Sequence, residues 1–312
     1  MAKKRKVKKA LDPSRTKTLR LKFEADLVRR FKKLRKDIVQ SILKNDALAI
    51  KTNTPLPPRA FQFTTDVGKH DAFMEWLYQQ IDLGILEVTR REGRTVVTRT
   101  PWTNLYVRSA YQRGISRARS EMKSQGIMID EFGRGVDGSL SIAFNQPFHL
   151  NRVALAFTRT FTELQGVTDA MAQAISRELA QGVAQGSNPR VIARNLAKAV
   201  DNIGINRSKL IARTEVIRAH HAANIAEYRA AQIEGVVVIV EFNTAFDSRV
   251  CATCASLAGK RFTLDEIETV IPVHPQCRCF ARPLVGDDEK SIRRQKRRQT
   301  PEAVREKSKA IK

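Results

Sequence analysis

An α+β fold that is predominantly α-helical, with a small C-terminal strand-plus-Cys/His-knuckle module, is what this sequence predicts. Three observations lead there. Apolar residues recur at three- and four-residue steps through most of the 312 residues, the period of helices with one buried face. One β-branched run, Gly235-Val-Val-Val-Ile-Val-Glu-Phe242, reads as a strand. Just beyond it, all four cysteines of the chain fall into two groups, Cys251-Ala-Thr-Cys254 and His274-Pro-Gln-Cys-Arg-Cys279.

The elements follow in order. Ser14 is placed to cap a long helix in which Leu19, Phe23, Leu27, Phe31, Leu34, Ile38 and Ile42 form the apolar stripe and Arg and Lys fill the other face. Three prolines between Asn53 and Pro58 break it and begin a linker. A helix over about 71–83, with Phe73, Trp76, Leu77 and Ile81 on one side, is expected to end at Gly84. Residues 87–98 read as a short extended piece around Gly93, and Trp102 begins a helix to about Gln125. Glycines at 126, 133, 135 and 138 make 126–147 the most loop-like interior stretch.

Beyond His149 the helical period returns. One helix is expected over 151–165 and a second, capped by Thr168, through Met171, Ile175, Leu179 and Val183 to Gly186. Asn188-Pro189 is a start signal, a capping side chain followed by proline at the first helical position, for a helix to Val200. Asn206 or Ser208 opens the last long helix, which runs to about Ile233 and delivers the chain into the strand. Thr263 with Glu266 three residues on forms a capping box for a short helix, and Pro272 and Pro275 punctuate the loop after it. The organisation expected from these signals is a basic arm and amphipathic helix over 1–50, a helical N-terminal domain over 51–147, a domain of helices, strand and knuckle over 148–284, and a basic tail over 285–312.

Composition bounds the function. Hydrophobic residues make up 42%, enough to bury sizeable cores, and aromatics only 6%, so those cores rely on Leu, Ile, Val and Ala. No apolar run approaches the roughly 18 residues of a membrane helix, and the N-terminus lacks a signal-peptide stretch, which points to a soluble protein of the cytosol. The net charge of +24 is unevenly placed. Residues 1–36 carry sixteen Lys/Arg against three acids, and residues 287–312 carry ten against five, so the 250 residues between hold only +6. Charge confined to both ends suits arms that reach a polyanion, which nominates Lys3, Lys4, Arg5, Lys6, Lys8 and Lys9 at one end and Arg293, Arg294, Lys296, Arg297 and Arg298 at the other as contacts to nucleic acid. The alternatives are solvated tails, or a nuclear localisation signal at Lys3-Lys-Arg-Lys-Val7.

The Cys/His cluster nominates Cys251, Cys254, His274, Cys277 and Cys279 as ligands of a structural zinc ion. Two thiolates in one knuckle, answered by a distant His/Cys group, have the spacing of a tetrahedral site, and five candidates compete for four positions. Cys251 and Cys254 form the first pair. His274 and Cys277 have the better spacing for the second, because ligands one residue apart strain a tetrahedron. Two disulfides and packed free thiols remain alternatives. One strand, one knuckle and one short helix make a unit too small to hold itself together, so a metal or crosslink would compensate.

No catalytic constellation accompanies the cluster. A zinc deaminase needs His-x-Glu ahead of Pro-Cys-x-x-Cys, and no His-x-Glu occurs. There is no phosphate-binding Gly-x-x-x-x-Gly-Lys loop and no Gly-x-Ser-x-Gly elbow. A metal-dependent nuclease would have to recruit His220, His221 and Glu215 from the last long helix, where such residues also serve as polar helix faces or packing networks. Arg213, Thr214 and Glu215 read in the same way as a salt bridge and cap. The expectation is a protein that is not an enzyme, with a metal-dependent nuclease or effector as the alternative.

Several short stretches carry a resemblance. Asp12-Pro-Ser-Arg-Thr-Lys before a basic helix, Phe73-Met-Glu-Trp76, Trp102-Thr-Asn-Leu-Tyr-Val-Arg-Ser-Ala-Tyr111, Thr168-Asp-Ala-Met171, Asn188-Pro-Arg-Val-Ile-Ala193 and Ala212-Arg-Thr-Glu215 precede Asp247-Ser-Arg-Val-Cys-Ala-Thr-Cys254 and His274-Pro-Gln-Cys-Arg-Cys279. In this order they resemble the phage head morphogenesis family, the Mu F-like minor capsid proteins. The specific motifs lie within about 165–284. The resemblance implies a minor protein of the head of a tailed phage, made in the host bacterial cytoplasm and retained in the virion interior. Its implied partners are the portal protein, the scaffold or major capsid protein and, through the basic ends and without sequence preference, double-stranded DNA, and its implied role is head assembly and DNA packaging or ejection.

Overall fold

The structure, a computed structural model, describes residues 14–45, 68–91, 94–96, 100–126, 144–233, 237–245 and 247–285. The basic residues nominated at both ends, the proline-rich linker and most of the glycine-rich stretch lie outside the described residues. The chain is predominantly helical with a small antiparallel sheet, as its periodicity predicts. It divides into two compact units, one built from Met1–Leu19, Val107–Ala156 and Thr214–Lys312, the other from Arg20–Tyr106 and Phe157–Arg213.

Helix α1 spans Lys17–Leu43, and all seven residues of its predicted stripe are buried. Ser14 lies in the turn before it, its Oγ 2.7 Å from Thr16 Oγ1 and accepting from Thr16 N, so it braces the entry to the helix. In the second unit Phe23 of α1 stacks on Tyr106 at 4.6 Å between centroids and meets the edge of Trp102. Arg30 lies 4.1 Å over the Trp102 ring, donates to Gly84 O and pairs with Glu87.

Helix α2 spans Gly68–Ile81. The sequence predicts an end at Gly84, but the chain continues into a π-turn over Asp82–Leu86 and stops at Glu87, which takes the left-handed conformation at φ 55°. Trp102 explains the difference, because its indole N–H donates to Ile85 O and holds the widened turn. The extended piece is a hairpin of β1, Thr89–Arg91, and β2, Arg94–Val96, paired antiparallel.

Helix α3 spans Thr103–Lys123 and α4 spans Pro147–Ala184. The sequence predicts two helices where α4 runs unbroken. Thr168 does not cap a new start; its hydroxyl donates back to Gln165 O at 2.8 Å, a bond available inside a continuous helix. Helix α5, Pro189–Ala199, begins as the sequence indicates, with Asn188 Oδ1 accepting from Arg190 N at 2.9 Å. A π-turn over Val200–Ile205 joins it to α6, Asn206–Ile233, so neither Asn206 nor Ser208 is a free-standing cap; Ser208 donates to Ile205 O.

In the first unit α3 and α6 cross at Gly114. A Cβ there would lie 2.4 Å from His220 O and 2.6 Å from the Ala223 Cβ, so the crossing admits no side chain. The amide of Asn224 seals it when oriented to satisfy both carbonyls, with its nitrogen toward Gly114 O at 2.9 Å and His220 O at 3.1 Å. On this pair sits a three-stranded antiparallel sheet in the order β4-β3-β5, where β3 is Val238–Asn243, β4 is Arg261–Phe262 and β5 is Phe280–Val285. The register pairs Val238 with Val285 and Asn243 with Phe280 on one side, and Val240 with Phe262 on the other. The sequence pattern marks only the central strand. Strand β4 is two residues long, and β5 carries Arg282 and Pro283, which hide its pattern. Gln125 covers β5 by donating to Pro283 O and accepting from Val285 N.

Candidate metal centre

Two short helices frame the cysteines: α7, Ala252–Leu257, and α8, Leu264–Glu268. Cys251 is the N-cap of α7, its sulfur accepting from Cys254 N at 3.3 Å, so the Cys-x-x-Cys spacing folds back through one helical turn. Helix α8 starts with the predicted capping box, Glu266 N donating to Thr263 Oγ1 and Thr263 N to Glu266 Oε2. The cysteines are also core residues. Cys254, Cys277 and Cys279 are buried with Tyr228, Val240, Phe242, Leu264 and Ile267.

All five nominated ligands come together, in two groups that share Cys254. Cys251, Cys254 and His274 form one and Cys254, Cys277 and Cys279 the other, with the ligand atoms of each group within 4.8 Å of one another. His274 Nε2 lies 3.3 Å from both Cys251 Sγ and Cys254 Sγ. A zinc ion with Zn–S bonds of about 2.3 Å would set its sulfurs about 3.8 Å apart, so each group is close to the face of a tetrahedron. Spacing favours Cys277 over Cys279 as partner of Cys254, whereas the fold brings both to it. All four cysteines are free thiols.

The electrostatics suit a cation. His274 Nδ1 donates to Pro275 O at 2.7 Å, which leaves Nε2 with its lone pair toward the sulfurs in the neutral ring and is also the main cause of a pKa raised above the ordinary value. The backbone N–H of Cys254 holds the Cys251 thiol below its usual range. A hydrogen bond from Cys279 pulls Cys277 down to about 5, and the same bond, with burial, pushes Cys279 up. Burial pushes Cys254 up to about 12. Without a positive ion the buried sulfurs of Cys254 and Cys279 retain protons; a soft divalent cation would stabilise them as thiolates. Soft sulfur donors with one imidazole are the set that zinc takes in closed structural sites, and every position that could serve is a protein ligand.

A bidentate fork sets the knuckle. Arg278, between Cys277 and Cys279, donates through both terminal nitrogens to the carboxylate of Asp247 at 2.6 Å each, and Asp247 also accepts from Arg249 N. Asp247 thus ties the turn before Cys251 to the loop that carries the other ligands. Its carboxyl is held well below the ordinary carboxylate range, chiefly by the Arg278 bonds. A depressed folded pKa gives stabilisation that is complete above about pH 4 and lost as the pH falls below it. Asp247→Asn should therefore lower Tm at neutral pH and show a shallower further loss between about pH 4 and pH 2 than the wild type, in thermal melts across that range. Parallel curves for the two proteins would contradict the assignment.

The helix residues considered for catalysis are mostly built into the fold. His220 and His221 are both 3% exposed. His221 Nε2 donates to Ile267 O at 3.1 Å, and burial lowers its pKa to about 4, so its ring stays neutral. Glu215 accepts from Arg218 at 2.6 Å, and Arg213 pairs with Glu24.

One titratable network has no counterpart in the sequence motifs. Tyr111 O–H donates to His149 Nδ1 at 2.9 Å, His149 Nε2–H donates to Glu227 at 2.8 Å, and Arg119 donates to the same carboxylate at 2.7 Å. The tautomer follows from the carboxylate, which can only accept. Tyr111 and His149 are 0% exposed, and burial keeps the phenol protonated far above neutral pH, so the network meets no substrate and serves as a polar core. Its partners lie 38 and 78 residues apart, and no local motif marks them.

Residues 173–282 match the family described as Phage Mu protein F like protein. The matched stretch takes in α5, α6, the three strands up to Arg282, and every nominated metal ligand. Over that segment the chain is similar to the Mu F-like family, which supports a head morphogenesis protein. No curated protein and no solved structure matches the chain. The family suggests a role in the morphogenesis of a phage head and a place in the virion. No helix among the described residues is long and apolar enough to cross a membrane.

Proposed function

We propose that the protein is a minor head protein of a tailed phage, held inside the head beside the portal, where it aids assembly and DNA packaging or ejection without catalysing a reaction. The observation that carries this reading is the family match over 173–282, which encloses the whole Cys/His cluster. The cluster then acts as a zinc staple, because its sulfurs belong to the core that joins β3, α7, α8 and β5. Burial of His220 and His221 supports a structural part for the residues a nuclease would need. The net charge of +24, concentrated toward both ends of the chain, supports non-specific contact with packaged DNA.

Co-expression with the portal and major capsid proteins of the same phage tests the reading. The protein should co-purify with the portal ring and be recovered in assembled heads; absence from both would sink the proposal. Deleting residues 1–9, which removes six positive charges, should weaken duplex binding and flatten its salt dependence by roughly one unit of log–log slope for each phosphate that is no longer neutralised. Cleavage of plasmid with Mg²⁺ or Mn²⁺, abolished by His220→Ala, would replace the reading with the nuclease.

A further inference from the structure

The first unit holds a pocket of about 440 Å³ that the metal centre does not use. Arg113, Ser116, Arg117 and Ser120 line it from α3, Arg15 lines it from the turn before α1, and buried His220 lines it from α6. The four α3 residues stand at i, i+3, i+4 and i+7, so they share one face of the helix, where a soluble helix would ordinarily mix both charge signs. Among the described residues, no carboxylate and no Phe, Tyr or Trp ring lines the pocket. Arg117 is compensated by Glu121 at 2.6 Å and packs over Phe280. Arg15 and Arg113 are exposed and have no ion-pair partner among the described residues. Arg15 also sits at φ 53°, in the left-handed region that arginine seldom occupies.

We infer that this pocket binds a phosphate group. Two guanidiniums without an ion-pair partner among the described residues and the hydroxyl of Ser120 supply hydrogen-bond donors around one concavity, the chemistry that holds a tetrahedral oxyanion, while the Ser116 hydroxyl donates to Gln112 O at 3.2 Å. The lack of a large aromatic wall leaves nothing to stack a base, so recognition stops at the phosphate and carries no sequence preference. The phosphate could belong to a DNA backbone or to a small phosphorylated molecule. Phosphate binding here rests on the pocket alone and does not require the head-morphogenesis reading.

The test uses the full chain, the double variant Arg15→Gln/Arg113→Gln and the single variant Arg113→Lys. Both arginines are exposed, so circular dichroism and Tm should be unchanged. Titration calorimetry with inorganic phosphate should show saturable binding to the wild type, weakened at least about tenfold in the double variant and partly retained in Arg113→Lys. A 12-base-pair duplex distinguishes the source: a salt slope reduced by about one to two in the double variant assigns the site to a DNA backbone, and an unchanged slope alongside lost phosphate binding assigns it to a free phosphate group. Absence of saturable phosphate binding in the wild type, or equal affinity in wild type and double variant, overturns the inference.

Discussion

Glu227→Gln should destabilise the first unit by about 3–5 kcal/mol, the cost of breaking a buried ion pair from one side. The carboxylate is 3% exposed, accepts from Arg119 and from His149, and is joined through His149 to the Tyr111 phenol. Glutamine keeps the shape but removes the charge, leaving the Arg119 guanidinium without its counterion and setting an amide N–H against one of the two donors. At about 2–4 °C per kcal/mol for a folded unit of this size, Tm should fall by about 10 °C. An exposed pair would cost at most about 1 kcal/mol. A loss that small, measured by thermal and urea unfolding, would show that water reaches the network and screens it.

Cys254→Ser should have an effect of similar size through a different route. Cys254 is the one candidate common to both ligand groups and is 2% exposed, so replacing it removes a donor from whichever four hold the ion and places a hydroxyl in the core. The protein purified under reducing conditions should contain one zinc by elemental analysis, and the variant should contain none. Structural zinc contributes apparent free energies of about 10–16 kcal/mol in small peptides. In a unit that keeps other core contacts, a loss of at least about 3 kcal/mol, or about 6–12 °C in Tm, is expected. Cys251→Ser and Cys279→Ser, compared side by side, should identify the group that holds the ion, because only substitution within the binding set releases it. A zinc-free wild type would end the metal assignment and leave the cysteines as packed core thiols.

Local signals suffice wherever one element answers its own chemistry. The α1 stripe, the Asn188-Pro189 start and the Thr263/Glu266 capping box all depend on side chains within a turn or two of one another. They fail where a distant residue overrides the local preference. The indole of Trp102 bonds Ile85 O and carries the backbone past Gly84. Strand β5 pairs with β3 although Pro283 and Arg282 give it no strand pattern of its own. Thr168 is a different case, because its hydroxyl turns back to Gln165 O within α4 and the local sequence allows that bond as readily as a cap.

The candidate metal centre divides along the same line. Which residues could be ligands was legible from sequence, since only this stretch concentrates all four cysteines with a histidine at knuckle spacing. Only the tertiary structure decided how they group, because β3 and β5 set where the second loop returns and the Asp247–Arg278 fork fixes its approach to the first. The sequence by itself likewise determined the helical class, the buried face of α1 and the distribution of charge, all properties of residues near one another along the chain. The Gly114 crossing, the Tyr111–His149–Glu227–Arg119 network and the arginine-lined pocket were decided by the fold. Each joins groups that lie from tens of residues to about two hundred residues apart, and no local periodicity encodes which of them will meet.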